Sequence, residues 1–120
     1  MSKPRLERGN AVVGFTATVG LLLIVTVTVM SIGLTWFARE VMNDSVALGA
    51  RIAGLSGSNE SIARQRTQEL ITQTLPQDFA HDVEVSYGTT WVEVSASAPA
   101  PVLGLLLPVT IEVSARAPIE

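Results

Sequence analysis

N-A-V-V-G-F-T-A-T-V-G-L-L-L-I-V-T-V-T-V-M-S-I-G-L-T-W-F-A, residues 10–38, is the stretch on which the reading of this 120-residue chain turns. Its 29 residues include no Lys, Arg, Asp, Glu or His. A helix needs about 20 apolar residues to cross the hydrocarbon core of a bilayer. In water such a run is an aggregation hazard, whereas in lipid a helix satisfies its own backbone hydrogen bonds. The run is longer than the roughly 7–15-residue apolar region of a removable secretory signal. At its end Trp36-Phe37-Ala38 places bulk where a cleavage site needs small residues. The expectation is a membrane anchor.

Charge on the two sides of the run is unequal. Residues 1–9 carry Lys3, Arg5 and Arg8 against Glu7, a net of +2, whereas from Arg39 onward five basic side chains face ten acidic ones, a net of −5. The positive-inside bias places residues 1–9 in the cytoplasm as a basic leader and the acidic domain outside, with Arg39 as a counterweight. An acidic outer domain argues against nucleic acid as a partner. Cysteine is absent, so neither disulfides nor thiolate metal sites are available. About eighty residues remain for one small domain, near the lower end of what folds alone.

Downstream of the run, Phe37, Val41, Leu48, Ile52 and Leu55 recur at helical spacing among Arg39, Glu40, Asn43 and Asp44. Gly54 and the following L-S-G-S-N segment end that helix. One helix of about 45 residues and about 65 Å would result, with an amphipathic outer half that must pack on something. Ser58 or Asn59 caps a second helix, with Glu60 near its positive end. Ile62, Ala63, Leu70, Ile71 and Leu75 form its apolar stripe, and Pro76 ends it.

Beyond Asp82 the period becomes two. Val83, Val85 and Tyr87, then Val92, Val94, Ala96 and Ala98, then Val109, Ile111, Val113 and Ala115 alternate with polar residues. Three antiparallel strands with one apolar face follow, and that face and the helical stripes bury each other. The expected fold is α+β, with a long N-terminal transmembrane helix continuing into a stalk, a short second helix and a three-stranded antiparallel sheet. Its parts are a leader over residues 1–9, a membrane helix over 10–38, an extracytoplasmic helix extension over 39–57 and a head over 58–120.

Within the span, Gly14/Thr18 and Thr16/Gly20 are pairs of small residues four apart, and Thr28, Ser31 and Thr35 continue a helical stripe. Such pairs let helices approach closely in lipid. The competing reading is that the hydroxyls bond back to their own helix. On the polar face of the sheet, a two-residue turn at Gly88-Thr89 sets Val85 opposite Val92 and Glu84 opposite Glu93, with Glu112 on the third strand. Like charges directly opposite destabilise a sheet. A basic neighbour, a bound cation or a shifted register would relieve them, and a solvated acidic face is the simplest account. The apolar segment Val102–Leu107, with Leu105 and Leu106 at its centre, either covers the end of the core or contacts a neighbouring subunit. Trp91 is a further contact candidate.

Nothing points to an enzyme, a metal or a cofactor. His81 is the only histidine, and Asp78, His81 and Asp82 match no nucleophile or metal pattern. P-loop, G-x-S-x-G and H-E-x-x-H signatures are absent.

Three segments carry a resemblance. R-G-N-A-V-V-G-F at Arg8–Phe15 resembles the prepilin cleavage region of TadE-like pseudopilins, the minor pilins of tight-adherence (Flp-type) pili. D-S-V-A-L-G-A-R-I-A-G-L at Asp44–Leu55 is similar to the small-residue segment that follows the span in that family. V-E-V-S-A-S-A-P-A-P-V-L-G-L-L-L-P-V-T-I-E-V-S-A-R-A at Val92–Ala117 resembles its closing hairpin. The resemblance implies a pilin-like fold and cleavage between Gly9 and Asn10. It also implies a single-pass protein of the inner membrane, from which it can be drawn into an extracellular pilus. The implied partners are membrane lipid, other pilin subunits including a TadF-like pseudopilin, a prepilin peptidase and a membrane assembly platform. The family carries a glutamate five places after the cut. Here that position is Gly14, while Phe15 keeps the aromatic that follows. Two functions lead: a minor pilin assisting assembly of an adhesion or secretion filament, or a non-cleaved single-span anchor or accessory subunit of an envelope complex, with a membrane-tethered hydrolase as a distant third.

Overall fold

The computed structural model describes the backbone of residues 3–101, 107 and 109–120, with side chains from Glu7 onward. Helix α1 runs Lys3–Gly54, 52 residues, and stops at the glycine that the sequence marks as its end. Two compact units divide the chain, one ending at Gly33 and the other comprising Leu34–Glu120. In the first unit α1 presents almost every side chain to its surroundings, Val12, Leu21, Ile24 and Val29 among them. In the second unit the rest of α1 is joined by helix α2 (Glu60–Thr72), a 3-10 turn (Gln77–Ala80) and strands β1 (Asp82–Tyr87), β2 (Trp91–Pro99) and β3 (Thr110–Pro118). The strands form one antiparallel sheet in the order β1-β2-β3. This is the α+β fold that the patterning predicts.

Local chemistry sets the joints. Leu55–Ser58 turns through Gly57, whose φ of 86° suits a residue without Cβ. Asn59 caps α2 by accepting a hydrogen bond from the Ile62 amide at 2.9 Å, and Glu60 sits in the first turn. The last α2 carbonyls are met by the Gln73 and Leu75 amides before Pro76 redirects the chain.

The core lies between the inner face of the sheet and the two helices. Val83, Val85, Val92, Val94, Ala96, Ala98, Ile111, Val113 and Ala117 supply the sheet side, as the period of two predicts, whereas Tyr87 and Val109, expected on the same face near strand ends, are exposed and Ala115 is half-buried. The α1 side differs from expectation. Ala38, Met42, Ser45, Val46, Ala50 and Ala53 are buried, whereas Phe37, Leu48 and Leu55 are exposed and Val41 and Ile52 half-buried. Alanines flank Met42 and Val46, two of the largest fully buried side chains, on the face that meets the alanine-rich sheet, and close-packed interiors reward such a fit. On α2 the buried residues are Ala63, Thr67 and Ile71, with Leu75 beyond its end. Ile62 is exposed and Leu70 half-buried. The Thr67 hydroxyl is tolerated inside because it donates to the Ala63 carbonyl at 2.8 Å.

The β1–β2 register also departs from expectation. Tyr87 pairs with Val92, Val85 with Val94 and Glu84 with Ser95, so Glu84 does not face Glu93. Gly88 belongs to the ladder, donating its amide to the Trp91 carbonyl at 2.7 Å, and the two-residue turn is Thr89-Thr90. Moving the turn by one residue shifts pairing by two, which leaves every side chain on its face. Hydrophobic patterning therefore cannot separate the two registers. Trp91 does: its ring lies over Gly88 so closely that a Cβ there would touch it at 2.9 Å.

Candidate functional site

Along the span, the Thr18 hydroxyl donates to the Gly14 carbonyl at 2.9 Å, Thr28 to Ile24 at 2.7 Å and Ser31 to Val27 at 2.7 Å. These hydroxyls are bonded back to their own helix. Ser31 is buried and Thr35 half-buried. A Cβ at Gly9, Gly14 or Gly20 would meet nothing within 4 Å. Asn10, Phe15 and Thr16 are exposed. The protein's own fold therefore does not require glycine at these positions. Among the described residues, α1 is the one helix long and apolar enough to cross a membrane, and it lies near the N-terminus.

Within the Leu34–Glu120 unit, Phe37, Val41, Leu48, Ile52 and Leu55 fall within an arc of about 60° at 100° per residue. The covered residues Ala38, Met42, Val46, Ala50 and Ala53 occupy the neighbouring arc. Helix α1 thus has two apolar stripes here: a buried one of alanines with Met42 and Val46, and a second in which Phe37, Leu48 and Leu55 are exposed while Val41 packs against the core and Ile52 is half-buried. Near the upper end of the second stripe, Ile52, Leu55 and Leu70 line a shallow groove bordered by Arg66, Glu69 and Gln73.

The outer face of the sheet does not gather its three glutamates. Glu84 stands opposite Ser95, Glu112 opposite Ser97, and Glu93 between Ser86 and Arg116. The Arg116 Nε donates to Glu93 Oε2, and its guanidinium lies 4.5 Å from the centre of the Trp91 ring. A shifted register and a basic neighbour together remove the like-charge clash. Asp82, Glu84, Ser95, Ser97, Glu112 and Ser114 line an open depression. Exposed His81 and Asp78 approach to 3.4 Å. Among the described residues no three His, Cys, Asp or Glu side chains are grouped to hold a metal. Leu105 and Leu106, the other expected contact residues, lie outside the described residues.

Sequence reading missed two contacts. One is the Trp91–Arg116–Glu93 group, which requires the β2–β3 register across a long connection. The other is the crossing of α1 and α2 at Gly49 and Thr67, whose signal is a glycine inside a helix with no cap nearby. Tyr87 also reaches α1, its hydroxyl donating to the Ala53 carbonyl at 3.0 Å. Searches of protein-family models, of characterised proteins and of solved structures find no match to this chain.

Proposed function

We propose that the chain is a TadE-like minor pilin, assisting assembly of a tight-adherence type IV-like pilus or a related secretion filament. The carrying observation is the outward stripe of Phe37, Leu48 and Leu55 on α1, which the head leaves uncovered. A helix in water normally buries its large apolar side chains. A subunit whose helix packs against other subunits keeps such a stripe available for them. The order of the three resembling segments adds weight, as does a single long apolar helix at the N-terminus. In this reading α1 holds the subunit in the inner membrane with the leader in the cytoplasm. A prepilin peptidase cuts between Gly9 and Asn10, and a TadF-like partner and an assembly platform receive the product.

Gly14 favours a second reading. Without a glutamate there, no carboxylate can pair with a neighbour's new N-terminal amine, and an uncut chain would serve as a static single-span anchor. Mass spectrometry of the chain purified from its native membrane separates the two. The pilin reading expects a mature N-terminus at Asn10. A chain that still begins at Met1 or Ser2 overturns processing and leaves the anchor.

A further inference from the structure

The uncharged run has 29 residues and the hydrocarbon core needs about 20, so charge alone leaves about nine residues of play in where the membrane sits. We infer that Phe15 and the Trp36-Phe37 pair are the two interfacial anchors that remove this play, with the boundary between headgroups and acyl chains as their partner. Thr16–Thr35 is then the segment that crosses the hydrocarbon.

Four observations converge. Phe15, Trp36 and Phe37 are 72%, 73% and 53% exposed, so none serves the protein's own core. These three are half of the six aromatic residues in the chain, and the twenty residues Thr16–Thr35 between them include none. Twenty is also the number that a helix needs to cross the core, and the aromatic belt is where Trp rings sit in membranes. Finally, ionisable groups resume at Arg39 and Glu40, three and four residues past Trp36, as they must once the chain re-enters water.

The register has consequences on both sides. The Gly9–Asn10 bond lies about six residues, or about 9 Å of helix, outside the hydrocarbon on the leader side. A peptidase can therefore reach it from the headgroup layer without drawing the helix out. On the other side, Trp36, Arg39, Glu40 and Asn43 line one groove with Glu112 and Ser114, so the beginning of β3 lies at the membrane surface. Trp91 is far from that surface. It pairs with Pro118, whose carbonyl lies against Gly54, eighteen residues or about 27 Å beyond Trp36 on α1. The register does not rest on the pilin reading, because a static anchor would have the same one.

The chain has two tryptophans, which makes the test direct. The full chain is reconstituted in phosphatidylcholine vesicles with bromines at acyl positions 6,7 or 11,12, and tryptophan quenching is compared for three variants. W91F leaves Trp36 as reporter, W36F leaves Trp91, and F15W in the W36F/W91F background reports the inner boundary. The inference expects the position-15 and Trp36 reporters to be quenched at least twofold more by the shallow bromines than by the deep ones. Trp91 should be quenched by neither. Equal or deeper quenching of either boundary reporter overturns the register, as does a Trp36 no more quenched than Trp91, or a chain that does not float with the vesicles. The N-terminal mass decides the pilin reading separately.

Discussion

Gly49 shows how much of this fold depends on a missing methyl group. A Cβ there would run into the hydroxyl and Cβ of Thr67, which is fully buried and held by its bond to Ala63. Gly49→Ala should cost about 1–3 kcal/mol, as overpacking in a tight core does. Chemical denaturation of the full chain in detergent, followed by circular dichroism, measures it. Combining it with Thr67→Ala should cost less than the two single losses added, because the second change makes room for the first. On the outer sheet face the expected ordering is different. Glu84 faces a serine, so Glu84→Gln should shift stability by no more than about 0.5 kcal/mol. Arg116→Ala removes both the Glu93 bond and the Trp91 contact and should cost up to about 1 kcal/mol, less in high salt. A larger loss for Glu84→Gln than for Arg116→Ala would mean that Glu84 has a partner elsewhere.

Among the elements, the sequence makes legible their type and the two faces of the sheet, and it hides which of two acceptable partners or faces wins. The ends of α1 and α2 were readable because Gly54 and Asn59 carry their own chemistry as stop and cap. The sheet faces were readable because alternation survives any even shift of register. The hairpin register was not, since Gly88 signals a turn yet serves as the ladder residue beneath the Trp91 ring. The packing face of α1 is hidden for a related reason: the exposed stripe carries more large apolar residues, yet the face of alanines with Met42 and Val46 is the one that packs. The outward stripe is the result. Replacing Leu48 and Leu55 by serine together should leave head stability within about 1 kcal/mol, because at 44% and 51% exposure neither is a core residue. If the chain is the pilin subunit proposed above, the same variant should lose co-purification with neighbouring subunits. Unchanged association would show that the stripe contacts no subunit.

For the whole molecule, the division after Gly33 separates a stretch of exposed apolar helix from a unit with its own core. Every residue of the apolar core cluster, from Ala38 to Ala117, belongs to the Leu34–Glu120 unit. Its strands, α2 and the last turns of α1 satisfy one another, and the chain end is fastened by the Glu120 amide donating to the Gly54 carbonyl at 2.8 Å. A fragment beginning at Leu34 should therefore fold in detergent-free buffer and melt cooperatively, with a stability on the order of 5 kcal/mol for a domain of this size. Its exposed Leu34, Trp36 and Phe37, together with Leu48 and Leu55, should make it self-associate as concentration rises. Light scattering and thermal circular dichroism across a concentration series would follow both properties. Adding L48S/L55S to the fragment should reduce association while leaving the melting midpoint nearly unchanged, since the stripe and the core are separate surfaces of one helix. A fragment that stays unfolded without detergent would mean that the head needs an apolar surface outside its own chain in order to fold.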